Sequence, residues 1–151
     1  MSPHVERPTP RFPNFFGREG LFAATVWLMS ASNSFLYAGF AMYRNYDGNG
    51  ATFGDTSISA TTTDADASSV YASVSSQDPT NIVVVAINKL TTSQLAGITL
   101  THHAQLTAAA VYTLTSTAAA PKQGNPIVAV NANSFKYNMP ALSVSTLVFH
   151  P

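Results

Sequence analysis

NIVVVAINK, Asn81 to Lys89, is apolar at odd and even positions alike. Successive side chains of a strand point to opposite faces, so a strand with one wet face alternates apolar and polar residues. A segment without alternation must be covered on both sides. Asn81–Lys89 therefore reads as a central strand with something packed on each face. VYASVS (70–75), VYTLTS (111–116) and LSVSTLVF (142–149) alternate more cleanly, and each is expected to bury one face.

Working outward, strand-like segments fall at Ser57–Thr63, Ser69–Ser75, Asn81–Lys89, Ile98–His102, Ala109–Ser116, Ile127–Asn131, Ser134–Asn138 and Leu142–His150. The joins TDAD, QDPT, LTTSQ, AAAPKQGNP and NMPA carry residues suited to turns. Short strands at this spacing predict a mainly β fold: an eight-stranded antiparallel β-sandwich of jelly-roll type over residues 56–151.

Upstream the pattern changes. LFAATVWLM, Leu21 to Met29, is apolar on both faces, as in a strand of a parallel sheet. Ser32 or Asn33 can cap a helix whose apolar positions Leu36, Gly39/Phe40, Tyr43 and Tyr46 recur at helical spacing. One strand, one helix and the Gly-rich YDGNGATFGD make residues 21–55 a βα unit ending in a corner. Residues 1–20 hold four prolines and read as a loosely ordered leader. The leader lacks an apolar h-region, so it does not read as a signal peptide, and the expectation is a cut-down piece of a longer protein or a gene fragment.

With 151 residues the chain can bury a core without disulfides, and it contains no cysteine. Charged residues make up 9%, against about 25% in typical soluble domains. The surface must be built from Ser, Thr, Asn, Gln and Ala. Seven basic and seven acidic residues cancel, leaving no electrostatic footprint for nucleic acid or an anionic membrane. Leu21–Met29 falls well short of the ~20 residues that span a bilayer as a helix.

Chemistry has few places to reside. The seven carboxylates are Glu6 in the leader, Glu19 before the first strand, Asp47 and Asp55 around the Gly-rich corner, and Asp64, Asp66 and Asp78 in turns. Asp in such positions normally serves the turn itself. His102 and His103, adjacent on an expected strand, would point to opposite faces and could not share a metal. DGNG resembles the start of a calcium loop, with Asp47 and Asn49 in the first two ligand places. Ala51, Thr52 and Ile58 then fail positions five, six and twelve, so no metal site is predicted. No P-loop, nucleotide fingerprint or nucleophile elbow is present, and no cofactor is implied. Trp27, the sole tryptophan, ends the first expected strand and is the candidate for stacking on a sugar ring. An aromatic filling core space is the equal alternative.

The segments GREGLFAATVW, YAGFAMYRNYDGNGATFGDTS, SVYASVSSQDPTNIVVVAINK and FKYNMPALSVSTLVFHP together resemble the C-terminal end of glycoside hydrolase family 44. That resemblance runs from about Gly17 to Pro151. It implies the last βα unit of a (β/α)8-like barrel followed by a β-sandwich, in enzymes that cut β-1,4-glucans with retention outside the cell. The family's acid/base and nucleophile glutamates belong to earlier barrel strands, and no segment here matches them. The expected role is therefore a non-catalytic sandwich that supports a catalytic barrel, with β-1,4-glucan (cellulose or xyloglucan) as the expected partner. Two other readings stay open. One is a small endoglucanase working through Glu19 and Asp47. The other is a homo-oligomeric module joined through an exposed helix face or sheet edge.

Overall fold

The computed structural model describes residues 34–151. The expected strand Leu21–Met29, the leader and the helix-capping residues Ser32 and Asn33 lie outside the described residues. One helix, α1 (Ser34–Arg44), precedes nine strands: β1 (Thr56–Ile58), β2 (Ser68–Val74), β3 (Ile82–Asn88), β4 (Gln94–Thr99), β5 (Ala108–Thr115), β6 (Ala118–Gln123), β7 (Ile127–Asn131), β8 (Ser134–Met139) and β9 (Ser143–His150). All strand pairs are antiparallel, in the order β1-β2-β3-β9-β5-β7-β8-β4, with β6 also paired to β5.

Chain order explains how this single sheet folds into two layers. β6 runs back along β5, with Thr113 opposite Lys122 and Tyr112 opposite Gln123. The Gly124 amide then donates to the Val111 carbonyl at 2.9 Å, and β7 continues the ladder with Ile127 opposite Ala109. Beyond that point β7 pairs with β8 instead. One strand run thus begins in the first layer (β1, β2, β3, β9, β5, β6) and ends in the second (β7, β8, β4). A strand that changes sheets is how sandwiches turn their corners.

Between the layers lies the main core. Ile82, Val84 and Ala86 of β3, Leu147 and Phe149 of β9 and Val111 of β5 meet Phe135, Tyr137 and Met139 of β8. Phe135 and Phe149 contact edge to face across the layers, with ring centroids 4.7 Å apart. The alternate residues of the same strands point the other way, and α1 covers them. Ala38, Met42 and Tyr43 of the helix pack on Val85 and Leu114, with Phe53, Ile87, Tyr112 and Val144 around them. This is why Asn81–Lys89 does not alternate: β3 carries the sandwich core on one face and the helix on the other. On α1 the buried stripe is Ala38, Met42 and Tyr43, with Tyr46 buried just beyond, so Leu36 and Phe40 are only half-buried.

Three strands depart from the expected set of eight, the first being β1, which covers only Thr56–Ile58 of the expected Ser57–Thr63. β4 occupies Gln94–Thr99, not Ile98–His102. Its inward residues are Ala96 and Ile98, while Leu95 stands 70% exposed, so the outward face looks as apolar as the inward one in sequence. β6 fills part of AAAPKQGNP, expected to be a turn. Alanines give it no readable alternation, and as an edge strand it accommodates Pro121.

Two contacts fix α1 to the sheet. The buried hydroxyl of Thr146 on β9 donates to the Met42 carbonyl at 2.6 Å. Gly54 lies so close to β2 that a Cβ there would sit 2.2 Å from the Val74 carbonyl oxygen, and its amide donates to Ser73 Oγ at 2.9 Å. Backbone on both sides leaves nothing to yield. We predict that Gly54→Ala lowers unfolding free energy by about 3 kcal/mol. Thr146→Val, similar in shape but without the donor, is predicted to lower it by about 2 kcal/mol through the unpaired buried carbonyl. Urea unfolding of each variant measures both, and an unchanged Gly54→Ala midpoint would contradict the close approach.

Candidate functional site

Glu19, Glu6, His4 and Trp27 lie outside the described residues, whereas Asp47 stands in the corner that follows α1. After α1 ends at Arg44, Tyr46 stays buried against Tyr112, with ring centroids 5.1 Å apart. The chain then reverses through Gly48 (φ 77) and Gly50 (φ 93), a backbone region that L side chains avoid. Asp47 holds the reversal together. Its Oδ1 accepts the amides of Asn49 (2.9 Å) and Ala51 (3.0 Å). Asn45 Oδ1 accepts the Gly50 amide at 2.7 Å, and the Phe53 amide donates back to the Tyr43 carbonyl at 2.6 Å. YDGNGATFGD is thus a self-bonded corner whose carboxylate is engaged with its own backbone.

Asp55, Asp64 and Asp78 also accept hydrogen bonds. Asp55 accepts the Ser76 hydroxyl and amide and the Thr56 hydroxyl, pinning the corner to the end of β2. Asp64 accepts the amides of Asp66 and Ala67, and Asp78 accepts groups of Thr80 and Asn81. At Asp47, Asp55 and Asp78 the bonds favour the charged form. Asp47 is held below the usual carboxylate range, chiefly by the Asn49 and Ala51 amides. Asp55 is held down first by the Ser76 hydroxyl, and Asp78 first by the Thr80 hydroxyl. General acids in glycoside hydrolysis need the opposite shift. Burial, then the neighbouring Asp47 carboxylate, pushes the Tyr46 phenol up to about 12.

His102 and His103 sit in a bend after β4 rather than on a strand, and their ring centroids are 4.3 Å apart. The expectation that they face apart is overturned because β4 ends three residues before His102. His102 Nδ1 accepts the Ala104 amide at 3.2 Å, and Nε2 lies 3.0 Å from the Pro79 carbonyl. Both ring nitrogens are occupied, the second as donor, so this side chain ties two loops together. The same bend is clamped by Asn133, in left-handed backbone (φ 53), whose Oδ1 accepts the Leu106 amide at 2.6 Å. Among the described residues no three His, Asp or Glu side chains converge on a metal-sized space.

Tyr71, Tyr112 and Tyr137 lie on different strands, and the register brings two of them into one line. Tyr71, Val85, Thr146 and Tyr112 lie on successive strands in one line across the first layer. Tyr71 and Tyr112 are separated by three strand spacings, about 14 Å. α1 occupies the middle of this line, on Val85 and Thr146, so the tyrosines flank the helix instead of forming a platform. Tyr137 points into the sandwich, its hydroxyl 2.9 Å from Ser145 Oγ. On the outward face of the second layer stand Leu95, Val128, Val130, Lys136 and Asn138, a surface without an aromatic ring. The large exposed aromatics among the described residues are Phe35 and Tyr37 of α1.

Because Asp47, Asp55 and Asp78 are all depressed in the folded state, their contribution to stability is complete above the unfolded carboxylate value of about 4 and is lost as pH falls through the folded values. The thermal midpoint is predicted to stay level with respect to these groups from pH 7 down to about 5, then to drop in acid. Asp55→Asn should flatten part of that acid limb, and an unchanged limb would remove Asp55 from this role.

No protein-family model matches the chain. Endoglucanase A of Paenibacillus lautus is 31% identical over 134 residues, which are 88% of this chain and 19% of the relative. A family 44 endoglucanase from Clostridium thermocellum superposes with a TM-score of 0.84 at 32% identity, covering 90% of this chain and 27% of that one. A Paenibacillus polymyxa xyloglucanase of the same family, solved with xyloglucan, gives 0.86 at 30% identity, covering 91% and 27%. The chain therefore spans about a fifth to a quarter of the length of these relatives. In sequence and in fold it corresponds to the C-terminal part of glycoside hydrolase family 44, and it belongs with that family.

Proposed function

We propose that this chain is the non-catalytic sandwich portion of an extracellular family 44 hydrolase acting on β-1,4-glucan, and that it supports a catalytic barrel. One observation carries the reading. The chain matches its relatives over nine-tenths of its own length but a quarter of theirs, and four of the five described aspartates, Asp47, Asp55, Asp64 and Asp78, accept hydrogen bonds that hold turns or join the corner to β2. A retaining glycosidase needs two carboxyl groups facing each other across a cleft, ~5–5.5 Å apart. Asp47, Asp55 and Asp78 are committed to such bonds and held in the charged form, the wrong state for the acid of that pair.

Support of a barrel is consistent with the position of α1. One stripe of the helix is committed to the sandwich, while Phe35 and Tyr37 remain about half exposed, at 50% and 56%. A helix with apolar residues around most of its circumference suits a place between two packed bodies. Contact with cellulose or xyloglucan would fall to aromatic rings, since rings stack on sugars and the outward face of the second layer has none. Trp27, Phe35 and Tyr37 are the candidates.

Release of reducing ends from carboxymethylcellulose and xyloglucan tests the catalytic half of this proposal. The purified chain is expected to release none. Turnover that Glu19→Gln or Asp47→Asn abolishes would overturn it in favour of a small endoglucanase. Retention on insoluble cellulose, compared between the chain and its Trp27→Ala variant, tests the binding half. Full recovery of the unmutated chain in the unbound fraction would remove glucan contact from the account.

A further inference from the structure

The corner holds a chemistry that the proposed function does not use. Asn49–Gly50 is the sole Asn–Gly pair in the sequence. Both residues are exposed, and Gly50 has no Cβ to hinder approach to its amide nitrogen. In such a pair the backbone nitrogen after the asparagine is a nucleophile within reach of the asparagine carboxamide. The conformational freedom of glycine lets the two meet.

We propose that Asn49 is a self-modifying site, converted to aspartate or isoaspartate through a ring closed by Gly50, and that Asn45 governs the rate. The Gly50 amide nitrogen gives its proton to solvent base and attacks Cγ of Asn49. A C–N bond forms, and the carboxamide nitrogen takes up a proton and leaves as ammonia. The product is a five-membered succinimide. Water then adds to either ring carbonyl and breaks one C–N bond. One opening gives aspartate, and the other gives isoaspartate with the main chain routed through the side-chain carbon. No electrons are exchanged.

The native hydrogen bonds bear directly on this step. The Gly50 proton that must leave is donated to Asn45 Oδ1 at 2.7 Å. The Asn49 carboxamide is itself held by the Asp47 carbonyl at 3.3 Å, and the Asn49 amide by Asp47 Oδ1. Asn45 therefore keeps the nucleophile protonated and in place, while the weaker carboxamide bond leaves the electrophile free to turn. The consequence is local. A new carboxylate at position 49 stands beside Asp47, and isoaspartate adds a carbon to the backbone of the loop that leads to Phe53 and Gly54.

Ageing of the full chain in mildly alkaline buffer, followed by peptide mapping, tests the proposal. A mass gain of about 1 Da is expected first on the peptide containing Asn49, with isoaspartate detected there. Asn45→Ala should speed the gain about fivefold, the factor a neutral hydrogen bond commands. Asn45→Asp, which keeps the acceptor, should leave the rate near that of the unmutated chain. A gain appearing first at another asparagine, or an Asn45→Ala rate equal to the unmutated one, would overturn the assignment. So would acceleration shared with Asn88 and Asn133 at the rates seen in concentrated urea, because that pattern marks global unfolding.

Discussion

The first layer of the sandwich is buried on both sides, and most of the structure follows from that constraint. β3 and β9 sit at its centre and supply one set of side chains to the interlayer core and the alternate set to α1. Burying a side chain of the size of Val or Leu contributes about 1.5–3 kcal/mol, so strands buried on two faces concentrate stability where they lie. A sheet so built cannot tolerate loss of its cover. α1 supplies the cover, and the Thr146 hydroxyl fixes the helix by satisfying the Met42 carbonyl at the point of closest approach. The corner after the helix then has a mechanical task. It reverses the chain within a few residues and brings Gly54 against β2.

Polar groups inside this structure are used to join elements. Asn88, 2% exposed, reaches the carbonyls of Thr92 and Pro140 at 2.8 Å each and so ties the β3–β4 loop to the β8–β9 turn. Asn133 does the same for the bend at 102–106, and Asp55 for the corner and β2. No buried side-chain polar atom among the described residues lacks a partner. With 9% charged residues, the chain relies on amides, hydroxyls and aspartate caps for connections that other domains make with ion pairs. Among the described residues, the carboxylates of Asp47, Asp55, Asp64 and Asp78 are spent on architecture.

Much of the fold was legible in the sequence, and the exceptions have physical causes. The missing alternation of Asn81–Lys89 announced a strand covered on both faces, and Asp47, Gly48 and Gly50 announced a turn. β6 was hidden because edge strands bury little, so Ala118–Pro121 carries no periodic signal. β4 was displaced because Leu95 faces outward, where an alternation argument expects a polar residue. The Tyr71–Tyr112 line was invisible because it depends on strand register, a long-range property, whereas the His102–His103 arrangement was missed because β4 ends at Thr99, ahead of the pair. At the candidate site, the turn role of the aspartates was readable from their neighbours, whereas the one distant partner, Ser76 for Asp55, lies across the fold.

Membership of family 44 places this domain beside proteins named as endoglucanases and xyloglucanases, and the supporting role proposed for it rests on α1. For that role, α1 must behave as part of the sandwich and not as a detachable remnant. Native-state hydrogen exchange measures this directly, because residues of one cooperative unit exchange through the same opening. The amides of Met42 and Tyr43 are predicted to share the exchange free energy of Val84 and Leu147. Exchange of the α1 amides through a separate, lower-energy opening, with β3 and β9 still protected, would contradict the account.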